Sequence, residues 1–523
     1  MQNAANGSSI DGADSVWSQF SGRMCALVGI LVSLAITAHI VFQYNLTNYG
    51  APAYLHFSAA SPLIGLAALA AFTWSLGHQR YWPVDIWLVV LTGLALVSLV
   101  QHGEHVRAVM LLLLLTYCIY AAAQNSKLRI AIMYTVLTLA ILSAIQTILA
   151  AFRGESVFLS LFGLHDVGKF GTDDLRPGFG FTYNSVQASI VMLMGIAAIT
   201  TLWKRHGMAL SCLLLFLFCI GIVLIGSRAG TVALVAIIIW FFLARRFRQG
   251  MMLFLVFVSA VGACNLANNI SLFSPNSVVG KAGGYRALFD FEAAPSGLPV
   301  VVGATETTGY PQTGNFRIEM GKIALDLFLE RPFFGHGLGS FPEVASNYVR
   351  SRPELMNELL GIDGANELAD ALGRMVEQPP GNFGVDADHW TLPLMHEVIA
   401  RDHPGVSPTD IDRLMSSGAI QSYGELSEGL DAHSLYTSLL VETGIVGFLI
   451  FFGFLIASGF RATFRIFVGP NSEETDFIAG VTLLLVGTAV IGLFWHILLY
   501  RDTAIAVGLF LACVPLLKRN EAH

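Results

Sequence analysis

The sequence predicts an all-α protein that crosses a membrane about twelve times and carries one large, partly helical loop outside it. Three observations lead there. Mean hydropathy is +0.64, charged residues make up 12% of the chain against 54% hydrophobic ones, and apolar runs of near bilayer-spanning length recur along it. A hydrocarbon core of about 30 Å takes about 20 helical residues. Runs approaching that length lie near residues 24–43, 57–76, 85–100, 107–123, 130–151, 183–202, 208–226, 229–244, 251–266, 435–457, 477–498 and 503–517.

The chain opens on 23 polar residues followed by the run from Met24 to Gln43. That run is too long for a signal-peptide core and reads as an uncleaved first span. Basic residues then orient the bundle, because Lys and Arg in short turns stay on the cytoplasmic side. With the N-terminus inside, cytoplasmic turns carry Arg80, Lys127 with Arg129, Lys204 with Arg205, Arg245 with Arg246 and Arg248, Arg461 with Arg465, and Lys518 with Arg519. The expected order is a cytoplasmic tail over 1–23, spans one to nine over 24–266, an outer loop over 267–434, spans ten to twelve over 435–517 and a cytoplasmic tail over 518–523. All six cysteines fall inside apolar runs, where they act as small hydrophobes and point away from redox or metal chemistry.

Within the outer loop, residues 280–314 are rich in Gly, Pro and Thr and read as irregular. A helix is expected next: Phe316, Met320, Ile323 and Leu327 recur at helical spacing, and Pro332 ends the pattern. The glycine-rich turn Phe334-Gly335-His336-Gly337-Leu338-Gly339 follows. Residues 353–377 read as helical, and Ser407 before Pro408 and Asp410 suits a capped helix start.

A few outer basic residues break the orientation rule. Arg228 is the most informative, because the apolar stretch from Met208 to Ala244 is too long for one span. Gly226-Ser227-Arg228-Ala229-Gly230 must therefore be a tight outer hairpin with a guanidinium at the membrane edge. An arginine in the apolar core costs on the order of 3 kcal/mol, so one held at its boundary suits an anionic partner or snorkels to headgroups. Arg176 lies just before the sixth span, and Arg317 heads the loop helix. Taken singly, each reads as a solvated or headgroup-facing side chain; together, bidentate and always charged, they suit a diphosphate. His433 stands where the loop re-enters the membrane. Its pKa range suits a general base for a sugar hydroxyl, while position alone equally describes a helix-start histidine. Glu442, deeper in that span, is an intramembrane acid and functional by default. It lies two and a half turns from His433 and so on another face. His336 and His496 read as structural hydrogen-bonding residues, His336 and Ser434 being accessory candidates at the site.

The segment His433-Ser434, nine residues, then Gly444-Ile445-Val446-Gly447 resembles the signature of the O-antigen ligase and O-antigen polymerase superfamily. Ser227-Arg228-Ala229-Gly230 opening a span, the Arg317 helix leading to Pro332-Phe333-Phe334-Gly335-His336-Gly337, and Arg176 before a span containing Asn184 come in that family's order. The resemblance covers roughly 170–457. It implies a multi-pass enzyme of the bacterial inner membrane whose site is periplasmic, in keeping with the cytoplasmic termini that the basic turns suggest. It also implies transfer of a glycan from undecaprenyl diphosphate to an acceptor hydroxyl, without metal or cofactor. His433 would be the base, and Arg228, Arg317 and Arg176 would bind the donor diphosphate. Its partners would be the lipid-linked donor, a glycan or lipid A core acceptor, the bilayer and other polysaccharide-assembly proteins, with no nucleic acid. The interval between Gly339 and His433 is longer than in typical members. It holds Arg350, Arg352, Asp363, Glu367, Asp370, Asp386, Asp388, His389, Trp390 and His396, either a sugar-binding mixture or ordinary surface on a helical insertion. Motifs shared across the family leave polymerase, lipid A core ligase and protein O-oligosaccharyltransferase open, with a lean toward polymer formation in O-antigen or exopolysaccharide synthesis. A lipid-linked glycan flippase or transporter is the competing non-enzyme reading, disfavoured by dissimilar halves and by polar residues gathered at one face.

Overall fold

A computed structural model describes residues 10–41, 60–75, 82–102, 104–153, 185–225, 227–267, 313–352, 368, 371, 392–403, 434–470, 472–493 and 502–518. Side chains are described for fewer of these; those of Arg228 and Arg317 are not among them. No strand occurs among the described residues. The helices are α1 (Ile10–Val41), α2 (Ala60–Ser75), α3 (Trp82–His102), α4 (Glu104–Ala123), α5 (Ser126–Arg153), α6 (Ser185–Ile225), α7 (Arg228–Leu243), α8 (Phe247–Ala267), α9 (Thr313–Glu330), α10 (Phe341–Arg350), α11 (Leu392–Asp402), α12 (Leu435–Val468), α13 (Glu473–Gly492) and α14 (Asp502–Lys518). Every apolar run read from the sequence overlaps one of them. Among the described residues six helices are long and apolar enough to cross a membrane, and five shorter apolar ones accompany them. The first differs from expectation at its start: α1 runs back to Ile10, into the stretch read as a polar tail.

α6 is two antiparallel arms rather than one helix. Gly207 breaks it at φ 73°, ψ 165°, and a side chain on Gly195 would meet the Phe218 ring while one on Gly221 would meet Met192. Residues 192 and 221 would be about 43 Å apart on a straight helix, so the arms fold back on each other. This is the hairpin that basic Lys204 and Arg205 mark in the sequence.

Several turns meet at that end. Asp476, 3% exposed, accepts from Arg246 at 2.6 Å and pairs with Lys204 at 3.3 Å. Arg205 reaches Glu473 at 3.0 Å. Arg245 lies over the Phe467 ring at 4.1 Å, and buried Arg129 lies over Phe477 at 4.6 Å while donating to the Ala123 carbonyl. The described basic turns at 127–129, 204–205 and 245–248 thus share one face with the basic end of α12. Like-charged turns pack there because carboxylates at the start of α13 lie among them.

α12 holds the larger difference from expectation. The run 435–457 reads as one straight span, yet Gly444 breaks it at φ 61°, ψ −173°. Tyr436 and Phe452 would be about 24 Å apart on a straight helix, but their ring centroids lie 5.1 Å apart. The short arm 435–443 is therefore folded back along the long arm 445–468. Tyr436 donates to the Ala489 carbonyl at 2.8 Å, fixing the short arm to α13. Trp87 of α3 donates to the Ile450 carbonyl at 2.7 Å and stacks on Phe454, fixing the long arm to the N-terminal helices.

Candidate active site

A helix broken inside an apolar bundle leaves carbonyls before the break and N–H groups after it without partners, and hydrocarbon cannot supply them. Here the partners come from the turn after α9. Ile445 N–H donates to the Pro332 carbonyl at 2.8 Å and Val446 N–H to that of Phe333 at 3.2 Å. In return, His336 N–H donates to the Val441 carbonyl at 3.0 Å and Gly337 N–H to that of Glu442 at 2.7 Å. The four bonds form a reciprocal clasp between segments a hundred residues apart in sequence.

Two glycines make the approach possible. Gly335 has φ 67°, and a side chain there would strike the Glu442 backbone; Gly444 in turn faces the Phe333 carbonyl and Phe334 N–H. Both positions need a positive φ and no Cβ. The glycine-rich turn and the Gly-Ile-Val-Gly segment, noticed separately in the sequence, are thus two halves of one structure.

Glu442 is buried, 3% exposed, and its Oε1 accepts from the Phe341 N–H at 3.3 Å. That N–H belongs to the first turn of α10, where helix N–H groups lack partners within the helix and negative charge is favoured. This buried carboxylate therefore joins the bent helix to a loop helix that sequence periodicity did not reveal. Glu442→Ala should lower stability by about 1–3 kcal/mol by stranding that donor, whereas Glu442→Gln, which keeps an acceptor oxygen, should lose less. Thermal unfolding of the two purified variants in detergent measures the difference.

The other sequence-derived residues fall as follows. The His336 imidazole lies 2.9 Å, through Nε2, from the Leu327 carbonyl, which ties the turn to the end of α9. Ser434 is the N-cap residue of α12 without a side-chain capping bond; its carbonyl accepts from Ser438 N–H and Thr437 Oγ1. Arg317 lies on α9, whose buried Ile323 and Leu327 agree with the expected apolar face. Arg228 opens α7 at the end remote from the ion-paired face. Its neighbour Ser227 caps the helix by accepting from Gly230 N–H at 3.1 Å, and Gly230 packs closely on Ser189 near the start of α6. Arg176, His433 and His496 lie outside the described residues, as do most of 353–377, the capped start at Ser407 and the stretch 280–314 expected to be irregular, except its last two residues, which open α9.

Among the buried polar atoms that sequence reading missed, two lie near the residues discussed above. Gln187 Oε1, two residues before Ser189, and Ser438 Oγ, one turn into α12, have no hydrogen-bond partner among the described residues. Their signal was present only as isolated polar letters in apolar runs.

A bundle of long apolar helices with charged turns on one face and a clasped loop toward the other is an integral membrane protein. Residues 213–359 match the family model described as O-antigen ligase, which supports the O-antigen ligase and polymerase superfamily read from the motifs. The matched segment runs from the second arm of α6 through Arg228 and Arg317 to the clasped turn and α10. No curated protein matches the chain.

Proposed function

We propose that the protein is a membrane glycosyltransferase that moves an oligo- or polysaccharide from undecaprenyl diphosphate to an acceptor hydroxyl during assembly of a surface polysaccharide, as polymerase or ligase. The observation that carries this reading is the clasp. It ties the turn at the end of the Arg317 helix to the bent helix that begins two residues after His433. The family match supports it by covering Arg228, Arg317 and the turn in one segment.

In this reading His433 takes the proton of the acceptor hydroxyl as its oxygen attacks the anomeric carbon. The bond from that carbon to the diphosphate oxygen breaks, and undecaprenyl diphosphate departs with its charge compensated by Arg228, Arg317 and Arg176. Fixed cations make the diphosphate an adequate leaving group, so positioning and electrostatics do most of the catalysis. In-line attack inverts the anomeric centre. The site would face the periplasm, with the lipid-linked donor entering from the bilayer.

Reconstitution tests it. The purified protein in vesicles is given an undecaprenyl-diphosphate oligosaccharide and, in separate reactions, excess donor, lipid A core or a pilin-like protein, with products read by mass. Transfer to one acceptor is expected and distinguishes polymerase, ligase and protein glycosylation. His433→Ala and Arg228→Ala should each lose at least about a hundredfold in rate, the usual scale of a general base or a charge-stabilising group. No transfer to any acceptor, or wild-type rates in both variants, would overturn the reading; retention of configuration would remove the one-step displacement.

A further inference from the structure

We infer that the Phe333–Phe334 tip of the clasped turn is embedded in the bilayer and contacts the hydrocarbon chains of its lipids, although it belongs to the loop between α8 and α12. Depth is set by the arm that the turn grips. The sixteen residues from Ile445 to Phe460 carry no charge and span about 24 Å as a helix, whereas the hydrocarbon core is about 30 Å thick. Arg461 begins the basic end of this arm, beside the ion-paired face. A core measured from Arg461 therefore reaches past Gly444 and takes in the turn bonded to residues 441–446.

Surface chemistry agrees. Phe333 and Phe334 are 64% and 79% exposed, a level unexpected for two aromatic residues in a loop surrounded by water. Leu325 and Leu329, also exposed, continue the stripe along α9 at intervals of four, ending on Phe333. Ile445, Val446 and Leu449 are exposed on the arm to which the turn is bonded, so the stripe is continuous with the apolar surface of a membrane-spanning helix. Glu330 and Arg331, both exposed, stand immediately before the turn. With exposed Lys322 and Asp326 they form the polar flank of α9 beside that stripe, from which Arg331 reaches the headgroups along its own apolar stem. The backbone of an irregular segment at this depth needs its polar groups satisfied by protein, and the clasp does that.

The test places a nitroxide on the full-length protein at Phe333→Cys and Phe334→Cys, in vesicles of phosphatidylethanolamine and phosphatidylglycerol, with the unsubstituted protein as background for the native cysteines. Collision rates with dissolved oxygen and with a water-soluble nickel chelate report depth. Both labels should resemble one at Leu449→Cys, rich in oxygen contact and several-fold poorer in chelate contact than labels at exposed Glu343→Cys and Asn347→Cys on α10. Leu329→Cys, outside the clasp, gives the same reading should either tip variant fail to insert. Chelate access equal to that at Asn347 overturns the inference, and so does protection that appears only when undecaprenyl phosphate is added, since the bilayer would then not be the occupant.

Discussion

Gly444→Ala should leave little folded protein. The residue sits at φ 61°, ψ −173°, a region of backbone space that only glycine occupies without strain, and forcing another residue there costs on the order of 1–3 kcal/mol. A Cβ would also fall inside contact distance of the Phe333 carbonyl and 2.6 Å from Phe334 N. These are backbone atoms held by the clasp and cannot swing aside, so overpacking adds about another 1–3 kcal/mol. Relief requires the turn to retreat, which breaks the bonds to Ile445 and Val446 and strands them in an apolar setting. Gly453→Ala, on the same helix with open space around it, is the matched control and should be neutral. Detergent thermal unfolding and membrane yield of the two variants provide the comparison; equal behaviour would mean that the bend does not depend on the clasp.

Asp476→Ala should be comparably damaging at the opposite face. Its carboxylate, 3% exposed, receives Arg246, 15% exposed, at 2.6 Å and Lys204 at 3.3 Å. Removing one member of a buried ion pair strands the other, with a typical cost of about 3–5 kcal/mol. Here the α6 hairpin, the α7–α8 turn and the start of α13 are all held through that one side chain. Asp476→Asn retains an oxygen acceptor and should lose less. Glu473→Gln breaks only the pair to Arg205, whose partners are both solvent-exposed, and should cost less than about 1 kcal/mol. Unfolding temperatures ranked Ala below Asn below Gln are expected; a Glu473 effect as large as that of Asp476 would contradict the assignment of burial as the cause.

Much of this organisation was legible in the residues. The hairpin at Gly207 follows from the two apolar runs 183–202 and 208–226 with Lys204 and Arg205 between them. The α9 helix follows from Phe316, Met320, Ile323 and Leu327, and its end from Pro332. The placement of Ser227-Arg228 at the opening of α7 follows from the length of the stretch around it. The bend at Gly444 was hidden, because 435–457 is apolar enough to read as one span and hydropathy does not distinguish a straight helix from a folded one. α10 was hidden as well, since its N-terminus is completed by a carboxylate from another helix rather than by a neighbour in sequence.

The sequence by itself determined the apolar helices, the basic turns and the order of the motifs, because burial preference, helical period and charge placement are local properties. Only the tertiary structure decided that Pro332–Gly337 and Val441–Val446 are one object, that Glu442 serves α10, and that Lys204 and Arg246 from two basic turns converge on Asp476. Each of those depends on polar groups finding partners about a hundred or more residues away. In an apolar interior the cost of leaving such groups unpaired selects the pairing, and that cost becomes visible only when the helices are packed.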